Sequence, residues 1–287
     1  HILISTLKER GFIMDSNEQR HPLDRATELF RKSNIYYGRT SKRYANMVGQ
    51  YGGITASTIL KSIIQHPKCI GEPISLTINY AAPVLAGNLS IQSTPIRTNR
   101  STQHWFVEMF QNKEVVITGT AVLSNRRETW SSLEAKFPNV PSEEYIKPIQ
   151  FGEMPPWLDN YDIRIIKGIP KMFSASSSDD PSDSITVQWM KDNPKRNIDF
   201  ISLTAMCDAF FPRIYVKRNA LVPIGTVSLT IYFHTDSKVL EKHGDKEVLG
   251  YARAFQFYNG YFDQTAELWT AEGQLLATTS QIVYYKE

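Results

Sequence analysis

Asp208 is the only charge in the apolar stretch Ile201–Pro212, which reads Ile-Ser-Leu-Thr-Ala-Met-Cys-Asp-Ala-Phe-Phe-Pro. At helical spacing Leu203, Met206, Cys207 and Phe210 share one face, and Asp208 lies opposite with Ile201, Thr204 and Ala205. A carboxylate in such a place must be hydrogen-bonded or paired, because an unpartnered buried charge costs several kcal/mol or more. It is either a structural acid, capping backbone or pairing with Arg213, or a group kept for proton transfer. Two further polar groups interrupt apolar surroundings. Thr226 opens a strand in which Ser228, Thr230, Tyr232 and His234 alternate with Val227, Leu229, Ile231 and Phe233, a period of two that sorts hydroxyls from aliphatics. Gln281 lies in the last strand-like run, where a neutral amide can both donate and accept hydrogen bonds. Each has an ordinary reading: β-propensity for the threonines, a solvent-facing side chain for the glutamine. Covalent and metal chemistry find less support. There is no Gly-x-Ser-x-Gly turn, Cys207 has no histidine near it in sequence, and the six histidines show no ligand spacing.

The elements that must hold these residues recur in fixed order. The helix period over 23–33 is followed by a strand near 34–40. Gly52-Gly53 then precedes a helix whose only charge before Gln65 is Lys61, the mark of a buried central helix. Strand-like runs follow near 73–82, 87–97, 103–111 and 114–124, with short polar breaks between them. Five prolines between 138 and 156 break helix and ladder alike and mark a connection. Beyond it come strands near 162–172 and 185–191, separated by the polar loop 174–184. A helix near 199–211 and strands near 225–234, 247–258, 261–270 and 274–285 complete the pattern, with Asn259-Gly260 and Glu272-Gly273 as hairpin turns.

The two halves therefore follow one plan, and Ser75-Leu-Thr-Ile78 repeats as Ser228-Leu-Thr-Ile231. Strands, one buried helix and a run of antiparallel strands describe a sheet wrapped around a helix. This gives an α+β fold of two tandem modules, a double hotdog. Residues 23–126 form the first module, 127–160 a Pro-rich linker and 161–287 the second. Residues 1–22 are set aside as a leader or tag, with Met14 a candidate native start. Aligning the copies places Pro73 opposite Thr226 and Val122 opposite Gln281. The first central helix carries no carboxylate, so the first copy is expected to be scaffold. The five tryptophans, at 105, 130, 157, 189 and 269, are expected in the core.

An acid on a helix, a threonine opening a strand that ends aromatic-Phe-His, and a terminal Ala277-Thr-Thr-Ser-Gln281 together resemble the type II acyl-CoA thioesterases, the TesB-like double-hotdog family. The similarity runs over roughly residues 30–285 and includes Gly52-Gly53 and the segment Ser75–Gly87. It implies hydrolysis of acyl-CoA to free acid and coenzyme A, with Asp208, Thr226 and Gln281 holding the attacking water. It implies no cofactor and no metal. Arg213, Lys217 and Arg218 would then be candidates for the coenzyme A phosphates, on charge alone. By the same analogy the chain would be a homodimer. The family's Asp-His-Ser segment is replaced here by Ser228-Leu229-Thr230, so acyl specificity does not carry over. The competing readings are a non-catalytic acyl-CoA or acyl-carrier binding protein and a hotdog dehydratase. The latter needs a His paired with an acid at a helix start, which is not found.

Composition excludes other classes. Net charge is +3 with scattered Lys and Arg, which gives no nucleic-acid signature. Two lone cysteines, Cys69 and Cys207, make neither a disulfide scaffold nor a zinc site. No apolar run is long enough to span a bilayer. A cytoplasmic protein is the expectation.

Overall fold

Gly52–Ile64 forms the helix on which the first half is built (α2), and all but three of its residues are buried. An isolated helix buried on every side must satisfy its own polar side chains. Thr58 Oγ1 donates to Ile54 O at 2.7 Å and Ser62 Oγ to Ile59 O at 2.7 Å. Ser57 Oγ reaches out of the helix to Ile201 O at 2.8 Å. That carbonyl belongs to the second central helix, Phe200–Met206 (α3), whose start is fixed by a capping box of Asp199 and Ser202. The computed structural model describes residues 19–173, 182–218 and 220–287. Most of the expected leader 1–22 and most of the polar loop 174–184 lie outside the described residues.

Strands wrap both helices. In chain order they are β1 (Phe30–Lys32), β2 (Ile35–Arg39), β3 (Glu72–Tyr80), β4 (Asn88–Thr98), β5 (Thr102–Gln111), β6 (Glu114–Ser124), β7 (Tyr161–Lys167) and β8 (Thr186–Asp192). Then come β9 (Ile224–Phe233), β10 (Val248–Arg253), β11 (Phe257–Tyr258), β12 (Tyr261–Thr270) and β13 (Leu275–Tyr285). They form one sheet in the order β1-β2-β4-β5-β6-β3-β9-β13-β12-β10-β8-β7, with β11 paired to β12. The halves meet where β3 pairs antiparallel with β9, Thr77 directly opposite Thr230. These two residues are equivalent in the sequence repeat, so a local two-fold passes between them, and their hydroxyl oxygens are 3.0 Å apart. One continuous apolar core runs through both copies.

Local differences from the sequence reading have identifiable causes. The helix expected over 23–33 stops early: α1 is Pro22–Ala26 and Thr27 closes it, donating from Oγ1 to Leu23 O. Phe30–Lys32 instead pairs with β2 across a turn in which Ser33 takes φ 56°. The helix expected over 199–211 ends at Met206. A turn and the short helix α4 (Arg213–Lys217) follow, and a further helix, α5, spans Ser237–His243. The Pro-rich segment packs on the outer face of the second half, where Phe137 meets the Trp269 ring edge-on and Trp189 Nε1 donates to Pro141 O. Trp130 in that segment is 87% exposed and is not a core residue; the other four tryptophans are buried.

Candidate active site

Strand alternation alone would keep Thr226 away from the core. Leu229, Ile231 and Phe233 of β9 point inward and are buried, so an unbroken period of two sends Thr226 outward. A bulge prevents this. Ser228 is opposite Ile282 but Thr226 is opposite Val283, so Val227 is the extra residue. Beyond the bulge the faces exchange, and Thr226 joins buried Gln281 and Val283 on the inner side. There Thr226 Oγ1 donates to Gln281 Oε1 over a long 3.4 Å, and Gln281 Nε2 donates to Asp208 Oδ1 at 3.1 Å. The three residues, 73 and 55 positions apart in the chain, form one hydrogen-bonded row.

Asp208 is not on the helix but in the turn after it, its N–H bonded to Ala205 O at 3.3 Å. The sheet grips this turn with three amides. Besides Gln281, Gln188 Nε2 donates to Ala209 O at 2.7 Å, and Gln264 Oε1 accepts from Arg213 Nε at 2.9 Å. Gln264 and Gln281 are direct neighbours across β12 and β13.

The first copy closes the site with the amino end of α2. The backbone N–H of Gly53 is close enough to the Asp208 carboxylate to favour its ionised form. A Cβ on Gly52 would lie 2.7 Å from Asp208 Oδ2, and one on Gly53 would lie 2.6 Å from Ala205 O. Glycine is therefore required twice, so that a helix of one copy can touch the acid of the other. Tyr80 Oη donates to Gly52 O at 2.8 Å, and Tyr51 Oη donates to Ala205 O at 2.5 Å while its ring stacks on Trp157. The helix dipole and the Gly53 and Gln281 donors favour the carboxylate, but burial outweighs them and pushes its pKa up to about 6. Such a group is mostly ionised at neutral pH yet able to hold a proton.

The basic candidates are placed elsewhere. Arg213 is fully buried, and besides Gln264 its guanidinium donates to Ser184 O, Thr186 Oγ1 and Phe211 O. No face is left for a phosphate, so the reading of Arg213 as a coenzyme A ligand is corrected: it clamps the turn that carries Asp208. Nor does it pair with Asp208, the alternative that the sequence allowed. Lys217 Nζ donates to Ser182 O at 3.0 Å and Arg218 pairs with Glu287. His234 bonds Thr278 Oγ1, a residue on the opposite face of β13 from Gln281. Cys207 is buried and its thiol is pushed well above the ordinary range, chiefly by burial. Among the described residues no group of acids, cysteines and histidines could hold a metal ion.

The first copy carries the same bulge, at Ile74, with Pro73 opposite Leu123 and Ser75 opposite Val122. By register the counterpart of Gln281, which faces Leu229, is therefore Ala121, which faces Leu76; the sequence alignment with Val122 is one residue off.

Residues 41–124 match the family model described as the acyl-CoA thioesterase N-terminal domain, and residues 133–285 match the acyl-CoA thioesterase C-terminal domain. A conserved hot dog fold protein of unknown function from Alicyclobacillus acidocaldarius is 45% identical, with 93% of this chain and 99% of that one covered at a TM-score of 0.88. A putative thioesterase II from Thermobifida fusca is 16% identical, covering 94% and 99% at a TM-score of 0.80. The acyl-CoA thioesterase II TesB2 of Mycobacterium marinum is 17% identical, covering 92% and 98% at a TM-score of 0.72. No curated protein matches the sequence.

Proposed function

The chain belongs to the acyl-CoA thioesterase family, and from that premise we propose that it hydrolyses acyl-CoA by a water molecule held between Asp208, Thr226 and Gln281. The observation that carries this reading is the row Thr226–Gln281–Asp208, with a carboxyl of pKa about 6 at its end. Ionised Asp208 takes a proton from the water as its oxygen bonds to the thioester carbon, a contribution typically of about 10²–10⁴-fold. Thr226 and Gln281 orient the water, and a backbone N–H where α2 begins, or the Gln281 amide, is the donor for the developing oxyanion. Collapse breaks the C–S bond, and the proton on Asp208 passes to the departing thiolate, leaving free acid and coenzyme A. Burial of the acid serves this cycle, since an ordinary carboxylate is a weaker base toward the attacking water, while a carboxyl of pKa about 6 still gives its proton readily to a thiolate.

The test is thiol release from acyl-CoAs of graded chain length by wild type and by Asp208→Asn. The variant is isosteric but cannot take a proton, so turnover should fall by at least about 100-fold. Wild-type activity should rise with pH through about 6 and level off above it, because the ionised form is the active one. Retained turnover in Asp208→Asn would remove that residue from the mechanism. Tight binding without turnover in the wild type would make the chain a binding protein.

A further inference from the structure

We propose that the groove between α1, the end of β2 and the start of β4 seats the 3′-phosphate and pyrophosphate end of the acyl-CoA, an inference that rests on the thioesterase reading. The groove has a volume of about 830 Å³, and its walls include Arg25, Arg39, Lys42 and Arg43 with the aromatic rings of Phe30 and Tyr37. A second cavity of about 600 Å³ adjoins it, sharing Tyr37 and the segment 86–89. Neither is lined by Asp208, Thr226 or Gln281.

Charge is the first argument. Four cations face this space with one carboxylate, Glu28, and that acid is bonded to Arg20 at 2.7 Å. The side chains of Arg25, Arg39 and Lys42 form no hydrogen bond or ion pair with any described residue. Arg43 spends only its Nε, on the neutral Asn160 Oδ1 at 3.0 Å. A chain whose net charge is only +3 thus gathers unneutralised cations around one concavity, where their fields add and an anion is attracted. A ligand carrying several phosphates matches that set better than a monocarboxylate does.

The rings are the second argument. Phe30 is 67% and Tyr37 45% exposed, so two aromatic faces stand open beside the cations. Aromatic faces next to arginines take a purine by stacking, independently of its hydrogen-bonding edge.

Position is the third. Arg39 pairs with Asn88, and Tyr80 with Ile117, along the same end of the sheet; Tyr80 in turn bonds Gly52 beside Asp208. Strands β2 and β3 are separated by four strand spacings, roughly 19 Å along the sheet at about 4.8 Å each, a span that an extended pantetheine arm covers. The ground between is built and apolar. Ser41 of the groove wall and Gln50 exchange two hydrogen bonds of 3.1 Å, and Gln50 N–H is held by Val84 O. Over this frame Met47, Val48 and Leu85 are exposed by 74, 66 and 57%, a lip that suits the methyl-bearing arm.

The experiment compares wild type with Arg39→Glu/Lys42→Glu, two exposed positions, and with the neutral Arg39→Ser/Lys42→Ser. Adenosine 3′,5′-bisphosphate is the probe in calorimetric titration, and turnover is followed on an acyl-CoA and on the same acyl group carried by pantetheine alone. Binding of the probe should weaken about tenfold or more in the charge-reversed form, and less in the neutral form. The acyl-CoA kcat/KM should fall in parallel while that of acyl-pantetheine stays, which also certifies the variant as folded. Unchanged probe binding, or an equal loss on both substrates, overturns the proposal and leaves the thioesterase reading standing. Probe binding lost in the variants of a chain that turns over neither substrate would keep the nucleotide site and remove the hydrolase.

Discussion

Removing the charge of Asp208 should make the protein more stable as it makes it inactive. Burial raises the carboxyl from its ordinary 3.8 to about 6, even after the Gln281 hydrogen bond and the nearby Gly53 N–H have lowered it. A folded-state pKa above the unfolded one means that the native state binds the proton more tightly. Stability from this group is therefore complete below about pH 3.8 and is lost as pH rises toward 6. Two units correspond to about 3 kcal/mol, and because Asp208 is only half-buried, about 1–3 kcal/mol is the expected range. Asp208→Asn carries no such penalty. Thermal unfolding of the two proteins between pH 3.5 and 8 should give similar Tm values at the acid end. Wild type should then fall progressively behind, and the gap should be constant above about pH 7. At roughly 2–4 °C per kcal/mol for a chain of this size, the difference is easily resolved. A gap that ignores pH, or a wild type more stable than the variant at pH 8, would refute the argument that the site holds its acid ionised against burial.

Two further expectations test the backbone around that acid. Gly52→Ala places a methyl 2.7 Å from Asp208 Oδ2 and should cut kcat at least tenfold by displacing the carboxylate; Gly53→Ala meets the Ala205 carbonyl at 2.6 Å and should instead cost about 1–3 kcal/mol of stability, read as urea midpoints. Deleting Val227 removes the bulge but leaves Thr226 next to outward-facing Ser228 and opposite Val283, on the inner face, so kcat should stay well above that of Thr226→Val; a deletion as inactive as Thr226→Val would show that the extra residue itself is needed.

The fold was legible because its signals are long. A helix with one charge in thirteen residues, and strands bounded by Asn-Gly and Glu-Gly turns, state their period without help from the rest of the chain. The row of Asp208, Thr226 and Gln281 was legible as a set of oddities, though not as a geometry. Alternation along β9 puts Thr226 with Ser228 and Thr230, and only pairing with β13 reveals the bulge that parts them. The same one-residue shift in β3 moved the counterpart of Gln281 from Val122 to Ala121. Gly52-Gly53 was visible as a helix start, but its cause lies more than 150 residues away in Asp208 and Ala205. Arg213 misled because charge in a sequence carries no sign of depth. Four neutral acceptors hold it, three of them from distant segments, and none of them announces itself as its partner. The groove cations carry no stronger sign: Arg39, Lys42 and Arg43 lie within five residues without making a long basic run, and Arg25 joins them only when α1 folds against β2.

The first copy keeps the bulge without the polar row. Pro73 and Ala121 stand where Thr226 and Gln281 stand in the second, yet the backbone at Ile74 makes the same extra step. That kink belongs to the architecture, a way of bending a strand around its helix, and does not depend on the polar side chains beside it. Losing a reaction centre in such a duplicated chain needs only the exchange of a few side chains, with no cost in folding. The reverse also holds. An engineer who wished for two centres per chain would start with a backbone already bent for the second, and would have to restore side chains rather than redesign a strand.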